Sequence, residues 1–138
     1  MSVYKSNRSK SKIDFYDKAI RLNDAIQELV DNPRWYPKRQ TFRRSLPLME
    51  LSRDMLKNIC IANSNIPKNK MDYMERRKYQ TLAIGLTEAL LQQFQDDCLH
   101  LKTVPSSQKK RITGLVVDVK NMLNAWKQSD YKRYGNLK

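Results

Sequence analysis

Glycine is nearly absent from this sequence, with 3 residues among 138, and the 5 prolines stand only at positions 33, 37, 47, 67 and 105. So few breakers leave four long segments, and none shows the short alternating strands and glycine turns of a sandwich or barrel. Cysteine is equally sparse. Cys60 and Cys98 each fall inside an apolar helical pattern, which argues against a disulfide framework and reads both as small buried thiols. The single histidine, His100, leaves no metal cluster, no Ser-His-Asp set and no Glu-x-x-His pair for a bundle metal site. Asp96 and His100 share a helix face four residues apart and read as a surface hydrogen bond, whereas Asp96 and Asp97 are adjacent and point apart. The chain therefore reads as non-catalytic, with no cofactor and no metal. No apolar run reaches the ~20 residues that cross a bilayer. The start, MSVYKSNRSKSK, leads into the charged IDFYDKAIRLND rather than a signal-peptide core. A cytoplasmic protein with no membrane partner is expected.

What the sequence does have is positive charge and helical periodicity. The apolar fraction of 40% is too high for a disordered chain, and the 30% of charged residues is too high for a membrane protein. In the first segment Phe15, Ala19, Leu22, Ile26 and Leu29 repeat at spacings of four and three, Ser11 resembles a cap, and Asn32-Pro33 ends the run. The second places Leu48, Leu51, Met55, Ile59 and Ala62 on one face. Pro47 lies near its start, either in a first turn capped by Ser45 or kinking a helix begun near Arg39, and the kink is preferred. The third segment repeats Tyr79, Leu82, Ala83, Leu86, Ala89, Leu90, Phe94 and Leu101, and the fourth carries Ile112, Val116, Val119, Leu123 and Trp126 after a cap at Ser106 or Ser107. The expectation is an all-α fold, an up-down-up-down antiparallel four-helix bundle over residues 12–130, with flexible tails at 1–11 and 131–138.

The net charge of +13 implies an anionic partner, because such an excess repels itself unless a polyanion neutralises it. Its placement is informative. Residues 33–44 carry a net +5 and 102–111 carry +4, whereas the helical bodies 13–32 and 79–101 each carry −3. In an up-down-up-down bundle the first and third connections share one end, which gathers Arg34, Lys38, Arg39, Arg43 and Arg44 with Lys109, Lys110 and Arg111. Trp35 and Tyr36 interleave with these cations and suit stacking on unpaired bases of RNA or single strands, or else they plug the end of the bundle. A second candidate lies at the opposite end: Lys68, Lys70, Arg76, Arg77 and Lys78, together with both tails. The sequence does not rank the two. Acidic waists at Asp17, Asp24, Glu28, Glu88, Asp96 and Asp97, with leftover apolar residues Leu115, Val117 and Met122, suggest a homo-oligomer.

The order of these features resembles a known family. YPKRQTFRRSLPLMELSRDMLKNICIANSN (36–65) and LAIGLTEALLQQFQDDCLHLKTVPSSQKKRITGLVVDVKNMLNAWKQS (82–129) look like the accessory variability determinant proteins of diversity-generating retroelements and the related ribosomal intervening-sequence bundle proteins. The most specific stretches are Tyr36-Pro37-Lys38-Arg39 before the second helix and Leu123-Asn124-Ala125-Trp126 near the end of the fourth. The family often has glycine before that tryptophan, where Asn124 and Ala125 stand here. The resemblance implies a barrel-like homopentamer, bacterial or phage-encoded, that binds nucleic acid. It also implies a partner, the element's reverse transcriptase, whose template-primed mutagenic cDNA synthesis the bundle supports without an active site of its own. An intervening-sequence bundle with a structural or RNA-chaperone role is the alternative.

Overall fold

The structure, a computed structural model, describes the backbone of residues 3–138 and the side chains from Tyr16 onward. The tail expected over 1–11 and the cap expected at Ser11 lie outside the residues whose side chains are described. Four helices are present, α1 (Val3–Asp31), α2 (Leu46–Ser64), α3 (Lys70–Leu101) and α4 (Ser106–Tyr134), and no strand occurs among the described residues. Each helix packs on its chain neighbours, and α1 closes the ring against α4. The fold is the expected four-helix bundle. Its core joins Leu22, Ile26 and Leu29 of α1, Leu48, Met55 and Ile59 of α2, Leu90 and Phe94 of α3, and Ile112, Val116, Val119 and Leu123 of α4.

The connections follow from local chemistry. At the end of α1 the Asn32 side chain accepts from the Arg34 N–H at 2.9 Å, while its carbonyl accepts from the N–H groups of Trp35 and Tyr36. This is a turn that Asn builds readily, ahead of a proline that cannot extend a helix. A single 3-10 turn, Lys38–Gln40, and a π turn, Thr41–Ser45, then lead into α2. Pro47 lies in the first turn of α2 and Ser45 makes no side-chain cap, but helical winding already begins at Lys38. Pro47 has no N–H for a carbonyl one turn back and its ring crowds that turn, so the preceding residues widen from α to π geometry.

At the start of α3 Asn69 accepts from the Asp72 N–H at 2.8 Å, and the Asp72 carboxylate accepts from the Lys68 N–H at 3.2 Å. Two otherwise orphaned donors are thereby satisfied. Lys102 ends α3 in the left-handed region at φ 59°, the conformation usually left to glycine or asparagine. At α4 the expected serine cap is absent: Pro105 precedes the helix with no side-chain cap, and Ser106 is already its first residue. At the far end α4 continues past residue 130 to Tyr134, and the Lys138 carbonyl accepts from the Lys70 N–H at 3.2 Å. The backbone of the segment read as a free tail is therefore partly helical and hydrogen-bonded.

Two further expectations need correction. The buried face of α3 is Tyr73, Arg76, Gln80, Ala83, Thr87, Leu90, Phe94 and Asp97, whereas Leu82 is 45% exposed. Polar residues with buried partners hold core positions that an apolar pattern assigns to their neighbours. The cysteines are not both buried either: Cys60 is exposed, with its thiol against the Tyr16 hydroxyl, and Cys98 is half-buried.

Candidate nucleic-acid interface

The connection 32–45 and the connection 102–105 do meet at one end of the bundle. Thr103 Oγ1 donates to the Trp35 carbonyl at 2.8 Å, and beneath it lies a polar cluster centred on Asp97, which is fully buried. Asp97 accepts from the Tyr36 hydroxyl at 2.8 Å, from Arg44 Nη1 at 3.0 Å and from Gln93 Nε2 at 2.9 Å. Arg44 Nη1 also reaches Asp96 at 2.9 Å. Burial pushes the Asp97 carboxyl above the usual carboxylate range, while the hydrogen bonds from Tyr36, Arg44 and Gln93 oppose that shift. The Tyr36 hydroxyl is pushed strongly up, first by burial and then by the charge of Asp97.

These contacts take Tyr36 and Arg44 out of the expected interface. Tyr36 is 2% exposed and serves the core, so it plugs the bundle end and offers no face to a base. Trp35 is partly buried against the same core. Arg44 is tied to two carboxylates, with its side chain 13% exposed. The acidic waist is likewise engaged within the chain: Asp17 pairs with Arg21, Glu88 with Lys120, and Glu28 lies 3.7 Å from Arg111. His100 Nδ1 sits 2.9 Å from the Asp96 carbonyl and 3.3 Å from its carboxylate, both residues being exposed. No group of acidic, histidine or cysteine side chains suited to a metal ion occurs among the described residues, and no helix is long and apolar enough to cross a membrane.

The Tyr36–Asp97 bond predicts a pH dependence with a definite sign. A tyrosine hydroxyl in an unfolded chain ionises near 10, and in the fold its ionisation is pushed higher. The stability it contributes is complete below pH ~10 and is lost as pH rises beyond it, because the unfolded chain releases a proton that the folded chain keeps. Tyr36→Phe should remove this alkaline component. At neutral pH the same substitution should lower stability by about 1–3 kcal/mol, since the buried Asp97 loses a donor. Urea denaturation of both proteins between pH 7 and 11 measures both effects.

What stays accessible at this end is a set of cations. Arg34, Lys38, Arg39, Arg43, Lys102, Lys109, Lys110 and Arg111 are all exposed. Among them is Phe42, 86% exposed, placed between Arg39 and Arg43 by the 3-10 and π turns. Phe42 is not among the interface residues expected from the sequence. The signal that could have found it is its position within Arg39–Arg44, in the turn that Pro47 distorts. Lys109 closes the first turn of α4, whose N–H groups have no side-chain cap, and Lys110 and Arg111 follow in the second. Positive charge there is unfavourable beside the positive end of the helix dipole, and an anion relieves both.

The opposite end is built differently. Arg76 is 5% exposed and donates through Nε to Asp130 at 2.5 Å, with its guanidinium 5.0 Å from the Trp126 ring centroid. It is a core residue and leaves the second candidate set. Arg77 is half-buried and donates to the Tyr73 hydroxyl at 2.9 Å, while Lys68, Lys70 and Lys78 remain exposed. No family model matches the chain, and no curated protein or solved structure matches it.

Proposed function

We propose that this chain is a non-catalytic nucleic-acid-binding subunit whose Arg34–Arg43 and Lys102–Arg111 end grips a phosphate backbone. The observation that carries this reading is the group of eight exposed cations around an almost fully exposed phenylalanine. Cations so placed neutralise phosphates and release counterions, and an aromatic face among them accepts a base from an unpaired stretch. Phe42 is 86% exposed, and a base stacked on its ring would cover that surface.

The finer proposal is an accessory subunit of a retroelement reverse transcriptase, working as a homo-oligomer in template-primed mutagenic cDNA synthesis. It rests on the resemblance carried by residues 36–65 and 82–129. A reverse-transcriptase gene with a template and variable repeat beside the coding sequence, and co-purification with that enzyme, supports it. A reading frame embedded in a ribosomal RNA gene would replace it with the intervening-sequence reading.

Phe42 separates base stacking from simple charge attraction. Phe42→Ala should weaken binding to a single strand by about 5- to 140-fold, the equivalent of one stacked base at ~1–3 kcal/mol. Binding to a duplex, whose bases are already stacked, should change little. Fluorescence anisotropy with matched single-stranded and duplex oligonucleotides tests this, and equal losses on both would contradict it.

A further inference from the structure

The second basic end carries one feature that charge alone does not explain. Arg77 of α3 and Asn124, Lys127, Gln128 and Tyr131 of α4 line an open groove of about 440 Å³, within the range of small-ligand sites. Tyr131 is 63% exposed, so its ring forms a flat apolar wall in water. Asn124, Gln128 and Tyr131 follow one another at spacings of four and three, which sets two side-chain amides in a row with that ring on one face of α4. Across the groove, Arg77 is oriented by its hydrogen bond to the Tyr73 hydroxyl, and Tyr73 is buried. No carboxylate lines the groove.

The two helices that carry the groove are fixed against each other. Arg76 and Asp130, the sequence neighbours of Arg77 and Tyr131, form the buried ion pair that clamps α3 to α4. The walls of the groove are therefore held at a set separation before anything enters it, which limits the ordering penalty of binding.

The geometry points to a site for one unpaired nucleotide: its base stacked on Tyr131, its polar edge met by the amides of Asn124 and Gln128, and its phosphate neutralised by Arg77 and Lys127. Each element has its role in single-strand recognition, where rings stack, amides donate to and accept from base edges, and cations hold the backbone. An acidic peptide would engage the two cations but would leave the ring and the amide row without a function. The inference rests on the reading of the chain as a nucleic-acid binder, and it places base recognition at the end of the bundle opposite Phe42. Lys109 and Tyr131 stand ~33 Å apart along α4 at 1.5 Å per residue. A tetranucleotide, ~14 Å long at a stacked spacing of 3.4 Å, cannot occupy both ends.

The test is photo-crosslinking and anisotropy with a 5-iodouridine-containing RNA tetranucleotide at low salt. The proteins compared are the wild-type chain, Phe42→Ala with and without Tyr131→Ala, Tyr131→Phe and the four-site variant Arg39→Glu/Arg43→Glu/Lys109→Glu/Lys110→Glu. The expected results are a crosslink on the peptide containing Tyr131 and, in a Phe42→Ala background that removes the other stacking platform, a loss of about 5- to 140-fold in tetranucleotide affinity for Tyr131→Ala. Tyr131→Phe, which keeps the ring, should retain wild-type affinity. The four-site variant should keep the Tyr131 crosslink while losing structured RNA. An unchanged affinity on adding Tyr131→Ala to Phe42→Ala, crosslinks confined to the Phe42 region, or no tetranucleotide binding by the wild type would overturn the inference. If Tyr131 proves silent while the four-site variant still loses structured RNA, only the groove falls. If that variant binds structured RNA normally, the proposed phosphate surface falls instead.

Discussion

Asp130→Ala is expected to lower folding stability by about 3–5 kcal/mol, because it strands a buried guanidinium. Asp130 is 2% exposed and accepts from Arg76 Nε at 2.5 Å, from Arg76 Nη2 at 3.1 Å and from Gln80 Nε2 at 2.6 Å. Arg76 in turn donates to the Asn65 carbonyl at 2.9 Å and lies over the rings of Trp126 and Tyr134. The carbonyl and the rings would survive the substitution, but no counter-charge would. Gln80 would suffer as well: its Oε1 already has no hydrogen-bond partner, and its amide donor would lose the carboxylate. Replacing the pair with apolar residues, Arg76→Met with Asp130→Leu, should recover most of the loss, since no charge is then left buried. Urea denaturation that shifts the midpoint at constant m-value measures the effect. A loss under 1 kcal/mol for Asp130→Ala would mean that the pair does not clamp α3 to α4.

The second large effect concerns binding and leaves the fold intact. Arg39→Glu, Arg43→Glu, Lys109→Glu and Lys110→Glu together should weaken binding to structured RNA by roughly 100-fold or more at 0.1 M salt, with a salt slope shallower by ~0.7–0.9 for each phosphate no longer neutralised. All four side chains are exposed, where substitutions usually change stability by about 0.5 kcal/mol or less. Lys109 goes further, since a glutamate at the end of the uncapped first turn of α4 favours the helix dipole by ~0.3–1 kcal/mol. The variant should therefore bind poorly while melting at or above the wild-type temperature. A variant that loses binding and stability together would point to damage at the bundle end and not to a missing phosphate surface.

The sequence made the bundle legible because apolar spacings of four and three survive in all four segments and the prolines stand between them. It misplaced the face of α3, because Arg76, Gln80, Thr87 and Asp97 are buried polar residues, and their partners lie as far away as Tyr36, 61 positions along the chain from Asp97. The same cause explains the errors at the sites. Tyr36, Arg44 and Arg76 look like available aromatic and basic groups until the fold supplies Asp97 and Asp130. Phe42 is missed for the opposite reason: an apolar side chain just ahead of a helix reads as core, and the turn before Pro47 leaves it 86% exposed. Charge counted by segment placed both basic ends, because net charge does not depend on which side chains are paired.

The measurement that tests the account most directly is the anisotropy of a labelled structured RNA titrated with the wild-type protein across a salt series from 50 to 200 mM. Six or more phosphate contacts at the Arg34–Arg43 and Lys102–Arg111 end predict an affinity that falls about 1000-fold over that range, linear in the logarithm of salt. Affinity that is absent at the lowest salt, or indifferent to salt, would contradict the proposed function.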